Sequence, residues 1–278
     1  VDQQFSQLEV ESLDDVKAAE YLGTGSFGET WRIQTAGGLE VARKFLHEAG
    51  YEVDRLNREV EGLRRVSSPY VVTLLGVGES AIRGENLPHL DFEFIPGGDL
   101  QQWGANGGAL ADEDAVALAE GLLQGAAALH QAQVLHRDIK PANIGLRNSD
   151  PRHPVLLDLG LAKLLDIESI TRYPSLIGTA MYASPEQLRG ERAVKASDVW
   201  SIGVVMHEAV CRRHPFYTVG ERLMLTELLQ RLPTPPPLPP ESPKAVQALI
   251  NRCLQPEPYQ RGNAGPAYRR LRREVGEA

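Results

Sequence analysis

The chain has 278 residues, 42% of them hydrophobic, which is enough to bury one or two substantial cores. Its 37 acidic and 29 basic residues leave a formal net charge of -8, a balance that suits an ordinary soluble protein and gives no support to a nucleic-acid partner. No run of about 18 apolar residues occurs and no basic-then-apolar leader opens the chain, so a cytoplasmic location without membrane contact by this fragment is expected.

Short alternating segments predict strands over Val16–Leu22, Thr30–Gln34, Leu39–Phe45, Tyr70–Gly76 and Leu87–Phe94. One helix interrupts them, because Val53, Leu56, Val60, Leu63 and Val66 recur every three or four residues. Pro69 then forces an extended chain. After the breaker Pro96-Gly97-Gly98 the period changes. Asp112 and Glu113 open a long Ala/Leu-rich helix to about Gln131, with acidic residues suited to its first turn. Two short β-like runs around a polar turn follow, then a loop-like region over Leu165–Pro185. Further helices are expected at Lys195–Cys211, Gly220–Arg231, Ser242–Leu254 and Ala264–Glu274. The stretch Pro233–Pro240 suits polyproline II, as a rigid connector or as a docking site for an aromatic-lined groove. Cys211 and Cys253 sit in apolar stretches away from any His/Cys cluster, so two reduced thiols are expected, with no disulfide or zinc site. The pattern predicts one α+β domain over residues 1–278: a small β-rich lobe with one long helix (1–95) and a larger, mainly helical lobe (96–278). A start at Val1 suggests a domain cut from a longer protein, and the Ala, Gly and Pro usage with few Lys resembles that of a GC-rich bacterial genome.

Gly23-Thr24-Gly25-Ser26-Phe27-Gly28 falls between two predicted strands. A dinucleotide-binding turn would open directly into a helix. Between strands the glycines suit a hairpin folded over phosphates, or a flexible hairpin with no ligand. Lys44 ends the strand Val41-Ala42-Arg43-Lys44 and is either a solvent-facing lysine or half of an ion pair. Its candidate partner is Glu59 on the following helix, which would fix the ammonium on the α- and β-phosphates of a triphosphate. Arg58, Glu61 and Arg64 on that helix read as surface charges.

His136-Arg137-Asp138-Ile139-Lys140-Pro141-Ala142-Asn143 is the most specific signal. Asp138 is the candidate base and orienting group for an incoming hydroxyl, and Lys140 can steady a transferring phosphoryl charge. Five residues beyond Asp138, Asn143 offers an amide oxygen to Mg²⁺. Asp158-Leu159-Gly160 follows the apolar Val155-Leu156-Leu157, and a carboxylate ending a buried strand needs a partner or a metal. It reads as a second Mg²⁺ ligand. Two carboxylates alone would also suit glycoside hydrolysis, but the His-Arg-Asp and Lys-Pro-x-Asn signature has no role in that chemistry.

With these motifs the chain resembles the eukaryotic-type (Hanks-type) serine/threonine protein kinases from about Lys17 to Arg261, and a bacterial member fits its composition. The serine/threonine branch is indicated because Lys140 lies two residues after Asp138 and Gly178-Thr179 precede Ser184-Pro185-Glu186. The resemblance implies ATP with Mg²⁺, Mn²⁺ as a substitute, and γ-phosphoryl transfer to a protein Ser/Thr hydroxyl. It adds Ala42 to Gly23, Gly25, Gly28 and Lys44 as nucleotide-binding positions. It makes Glu93, Phe94 and Ile95 a hinge whose backbone binds adenine, Phe92 the guard of an inner pocket, and Asp99 the acidic position near the ribose. Asp158–Glu186 corresponds to the activation segment, Asp198 to the brace of the catalytic loop, and Arg261 to the partner of Glu186. Leu63, Leu74, Leu159 and His136 correspond to a hydrophobic stack linking the lobes, which agrees with reading His136 as buried and neutral. Arg137 is the implied receptor of an activation-segment phosphate, unless it serves only a structural hydrogen bond. Ser169, Thr171 and Ser175 are the candidate autophosphorylation sites, with Ser175 at the usual spacing, and Thr179 is a structural hydroxyl near Asp138 and Lys140.

The sequence departs from the family pattern at several places. Thr30 stands for the usual valine after the glycine loop, and Ile144-Gly145 stands where a leucine floors the adenine. These two changes remove apolar walls worth about 1–3 kcal/mol of burial, with Trp31 or another side chain expected to compensate. Leu159 replaces a phenylalanine, Ser184 an alanine, and Gly262 the proline after Arg261. None removes a phosphate, metal or base group. A pseudokinase acting as a nucleotide-binding or scaffolding module is the alternative, supported by the softened adenine site. A small-molecule kinase is a third reading, against which the Gly178-Thr179 to Glu186 segment counts.

Overall fold

A computed structural model of the chain describes residues 4–25, 28–46, 53–108, 110–159, 180–218, 220–221 and 223–276, without the side chains of 53–56 and 59. It divides into two compact units, Val1–Val66 with Val72–Ile95, and Ser67–Val71 with Pro96–Ala278.

In the first unit, β1 (Val16–Gly25), β2 (Gly28–Thr35), β3 (Glu40–Leu46), β4 (Leu74–Ile82) and β5 (Glu85–Glu93) form an antiparallel sheet in the order β1-β2-β3-β5-β4. Helices α1 (Gln7–Glu11) and α2 (Val53–Leu63) complete the unit. Strand alternation sorts its side chains onto two faces. The ladders align Thr30, Lys44 and Leu90 on one face, beside Arg32, Ala42 and Phe92. Trp31, Arg43 and Asp91 align on the other, where Phe5, Val10, Val16, Ile33, Val41 and Phe45 make a buried core.

The expected strand at Tyr70–Gly76 is displaced. Val71 makes an isolated parallel bridge to Leu156 in the second unit, and β4 begins only at Leu74. The expected strand ended at Gly76, yet Gly76 and Gly78 both lie in the ladder. A Cβ at Gly78 would meet the His89 ring at 2.7 Å, so glycine there makes room for a cross-strand imidazole. The β4–β5 hairpin turns at Arg83 and Gly84, both with positive φ (55° and 82°), as a two-residue hairpin requires.

In the second unit α4 (Asp112–Gln131) packs against α6 (Lys195–Cys211) and α10 (Ala264–Gly276). Leu118, Leu122, Leu123, Ala126 and Leu129 form the buried side of α4, and α6 is buried from Ala196 to His207. Around them lie α3 (Leu100–Ala105), α5 (Pro185–Leu188), α7 (Leu225–Arg231), α8 (Lys244–Cys253), α9 (Pro258–Arg261) and the ribbon of β6 (Ile144–Leu146) with β7 (Pro154–Leu156). Helix α7 starts five residues later than the expected Gly220, which has φ 86°. The N–H of Met224 is capped by the Glu227 carboxylate at 2.8 Å. The proline-rich stretch connects α7 to α8 and is pinned by its carbonyls, Pro236 O to His207 Nε2 (3.1 Å) and Pro239 O to Gln247 Nε2 (3.3 Å). Both cysteines are free thiols, Cys253 buried and Cys211 half-buried. No described helix is long and apolar enough to cross a membrane.

Candidate active site

The loop between α4 and β6 carries the densest polar arrangement. Lys140 Nζ donates to Asp138 Oδ2 at 3.1 Å. Asn143 Nδ2 donates to the same oxygen at 3.1 Å and to the Asp138 backbone carbonyl at 2.9 Å. Pro141 opens a single 3-10 turn (Pro141–Asn143) that swings Asn143 back onto Asp138. Asp158 follows β7, and Leu157 N–H donates to Asn143 O at 2.8 Å, which ties the chain leading into Asp158 to the Asn143 backbone. Asp158 has φ 48° and Arg137 φ 66°, left-handed conformations that non-glycine residues hold only when their surroundings over-determine them.

Asp198 supplies that determination for Arg137. Its buried carboxylate accepts the N–H of Arg137 (2.8 Å), the N–H of His136 (3.1 Å) and His130 Nε2 (2.8 Å). Burial alone would raise the Asp198 pKa, but the His130 hydrogen bond and the charge and N–H groups around it outweigh burial and hold it below the usual carboxylate range. His136 is fully buried, and burial pushes its pKa down, against the pull of Asp198, Asp138 and Asp158, so the ring is neutral. A second brace comes from α5, where Gln187 accepts from Ser184 Oγ (3.0 Å) and donates to the Arg137 carbonyl (3.2 Å). Glu186 and Arg261 form a buried pair at 2.5 Å, with Ser197 Oγ donating to the same carboxylate oxygen at 2.7 Å. Sequence reading missed His130, Gln187 and Ser197. His130 and Gln187 act on residues 68 and 50 positions away and Ser197 on one 11 away, and no local pattern marks such contacts.

In the first unit, Lys44 is 6% exposed on β3, a strand flanked on both sides, which removes the solvent-facing reading of this lysine. Ala42 and Thr30 share its face. Of the expected compensations by Trp31 or another side chain, the one by Trp31 is removed. Trp31 is fully buried on the opposite face against Tyr21, as alternation along β2 dictates. Gly25 pairs with Gly28 to close the base of the glycine hairpin, and a Cβ at Gly28 would meet the Phe45 carbonyl oxygen at 1.7 Å. A Cβ at Gly23 would meet nothing within 4 Å among the described residues. Glu93 N–H donates to Thr73 O (2.9 Å), and its carboxylate accepts from Thr73 N–H and Oγ–H, each at 3.0 Å. Ile95 is buried.

Asp99, in the second unit, caps α3 by accepting Gln102 N–H at 2.8 Å and bridges Gly145. The Glu59 side chain, Ser26, Phe27, Gly160, Ser169, Thr171, Ser175, Gly178 and Thr179 lie outside the described residues, as does most of the expected loop over Leu165–Pro185. Leu63, Leu159 and His136 of the expected stack are each buried, and Leu74 is half-buried.

The chain matches the protein kinase domain family over residues 16–270. It is 34% identical over 270 residues to the serine/threonine-protein kinase PkaA of Streptomyces coelicolor, covering 91% of this chain and 48% of that protein. Over 242 residues it is 33% identical to the probable serine/threonine-protein kinase PkwA of Thermomonospora curvata, covering 85% of this chain and 31% of the other. Over 251 residues it is 32% identical to the serine/threonine-protein kinase PknA of Mycobacterium tuberculosis, covering 88% and 57%. The chain thus spans between about a third and somewhat over half the length of these relatives. Its fold is shared with a crystal structure of Rad53 in complex with AMP-PNP, with a TM-score of 0.72 and 23% identity, covering 92% of this chain and 63% of that one. The expectation of a Hanks-type serine/threonine kinase with bacterial relatives is thereby met, and the chain belongs to the protein kinase domain family.

Proposed function

We propose that this chain transfers the γ-phosphoryl group of ATP to a serine or threonine hydroxyl of a protein, itself included, in the cytoplasm. The observation that carries the reading is the Asp138 carboxylate held by Lys140 Nζ and Asn143 Nδ2 on one oxygen. So held, Asp138 orients the incoming hydroxyl and takes up its proton as the new O–P bond forms and the bond from the γ-phosphorus to the bridging oxygen breaks, releasing ADP. Lys140 sets a positive charge where negative charge builds on the transferred group. Lys44, paired with Glu59, and the N–H groups of the hairpin at Gly23, Gly25 and Gly28 bind the phosphates. Ala42 and the backbone of Glu93 and Ile95 receive the adenine, and Asp99 the ribose.

Asn143 and Asp158 would hold the metal. Both Asn143 amide hydrogens go to Asp138, so its oxygen is the atom it can offer, and with a carboxylate from Asp158 the donor set is all oxygen. That set fits a hard cation, Mg²⁺ with Mn²⁺ as a substitute. When bound, the ion neutralises phosphate charge. Phosphorylation of Ser175, with Thr171 and Ser169 as alternatives, would order the activation segment through Arg137. Equal activity of Ser175→Ala and the phosphorylated wild type would refute that step.

The test is labelling of a generic protein acceptor by the purified chain with γ-labelled ATP and Mg²⁺, beside Asp138→Ala. Label on serine or threonine, reduced about 10³-fold or more in the variant, is expected. Equal labelling by both proteins overturns the assignment. Nucleotide binding without transfer would favour the pseudokinase reading, to which Thr30 and Gly145 lend support. Label on a metabolite instead of a protein would point to a small-molecule kinase.

A further inference from the structure

The segment Gln4–Asp15 lies on the Trp31 face of the first unit's sheet, and its attachments fall on residues next to the proposed nucleotide contacts. Glu29, directly after Gly28, is 0% exposed. Its carboxylate accepts the backbone N–H groups of Gln4 and of Phe5 (3.3 Å), and Trp31 Nε1 (3.3 Å). No lysine or arginine among the described residues pairs with it. A buried carboxylate is costly unless hydrogen-bonded. This one has two of its three donors only while Gln4 and Phe5 stay docked.

The rest of the segment is fastened in the same way. Phe5 packs edge-on against Phe45 at 5.9 Å, Glu11 accepts the N–H of Ala19 on β1 (3.1 Å), and Arg83 binds both Glu9 and Gln4 O. At its end, Asp15 takes a bidentate contact from buried Arg43 (3.1 and 2.7 Å), which also grips Asp91 (2.7 and 2.9 Å). Arg43 stands between Ala42 and Lys44, and Glu29 between Gly28 and Thr30. Neighbours in a strand face opposite sides but share one backbone, so fixing the outward residue fixes the backbone of the inward one. The Gly28 backbone, packed against the Phe45 carbonyl, has little room to yield.

We propose that Gln4–Asp15 is a strap that sets the glycine hairpin and the Lys44 strand for ATP, with Glu29 as the positioning residue that couples the two. The inference rests on the kinase reading of the opposite face, the one that carries Lys44. Docking of the strap sets nucleotide affinity and leaves the phosphoryl-transfer step alone.

The test uses the full chain with Glu29→Gln and, as a second variant acting at the other anchor, Asp15→Asn. Affinity for AMP-PNP is measured by calorimetry, KM for ATP and kcat by steady-state kinetics, and amide exchange over residues 4–13 and 23–30. Glu29→Gln is expected to weaken AMP-PNP binding and raise KM for ATP about tenfold, the equivalent of one charge-assisted hydrogen bond. The kcat and the KM for the protein acceptor should stay within about twofold, while exchange quickens in the strap and the hairpin together. Asp15→Asn should move the same quantities by a smaller factor. Faster strap exchange with unchanged AMP-PNP affinity in both variants would reduce the strap to a structural cover and overturn this inference alone. A wild-type chain that binds no nucleotide would overturn the kinase reading with it.

Discussion

The N–H of Arg137 donates to Asp198 Oδ1 across 61 positions of sequence at 2.8 Å, holding Arg137 in a left-handed conformation one residue before Asp138. The loop's geometry is therefore stored in α6. Asp198→Asn keeps the shape but turns an acceptor-only group into one that places N–H beside N–H. The expected result is a fall in kcat of about 100-fold, with KM for ATP changed much less, because misplacing a reacting group costs rate more than binding. A lower melting temperature should accompany it. Steady-state kinetics and a thermal melt on the same preparation check both.

The Glu186–Arg261 pair predicts a stability change whose size depends on pH. Burial works to raise the Glu186 pKa, but Arg261 and Ser197 outweigh it and hold the group below its ordinary 4.5. A carboxylate with a depressed folded pKa contributes stability that is present above 4.5 and lost as pH falls through the folded value. Arg261→Met leaves that carboxylate buried without its cation and should cost about 3–5 kcal/mol at pH 7. In the variant, burial no longer meets a counter-charge, so the gap from wild type should narrow as pH falls below 4.5. Urea unfolding at pH 7 and pH 4 measures it, and a gap that widens with acid contradicts the assignment.

What could be read from sequence depended on how far the deciding contact lay. Asp112–Gln131 was legible because Asp112 and Glu113 open an Ala/Leu-rich run, a local signal, whereas the burial of α6 from Ala196 to His207 is set by the helices packed around it. Asp138, Lys140 and Asn143 were legible together since they lie within one short loop. Strand β4 was placed too early, over Tyr70–Gly76, and the His89 ring that explains the glycine at 78 within the strand lies eleven residues away. Trp31, one of the side chains expected to compensate for Thr30, faces away because the pleat sends every second side chain to the other face. The Gln187 contact to the Arg137 carbonyl had no local mark at all.

The two thiols should differ in reactivity. Cys253 is buried and its pKa is pushed up to about 12, while half-buried Cys211 is raised less completely from water. Thiolate is the reacting form, so native protein treated with iodoacetamide near pH 8 should label Cys211 slowly and leave Cys253 untouched. Both should label in denaturant. Mass spectrometry of the two samples decides, and native labelling of Cys253 would show α8 opening away from α6.

Thr30 tests which face of the sheet meets the nucleotide. It sits in register with Lys44 on β3, half-buried, where the family carries valine. Thr30→Val keeps the β-branched shape and puts a methyl where a hydroxyl was. One added buried methyl contributes about 0.8 kcal/mol, so KM for ATP should fall roughly fourfold. Ile33→Val, on the same strand but among the buried residues of the Trp31 face, should instead cost about 1 kcal/mol of stability and leave KM for ATP as it was. The contrast is diagnostic because both changes are single-methyl edits a few residues apart on one strand, differing in the side they face. If Ile33→Val shifted KM for ATP while Thr30→Val did not, the Lys44 face would not be the one that receives the base.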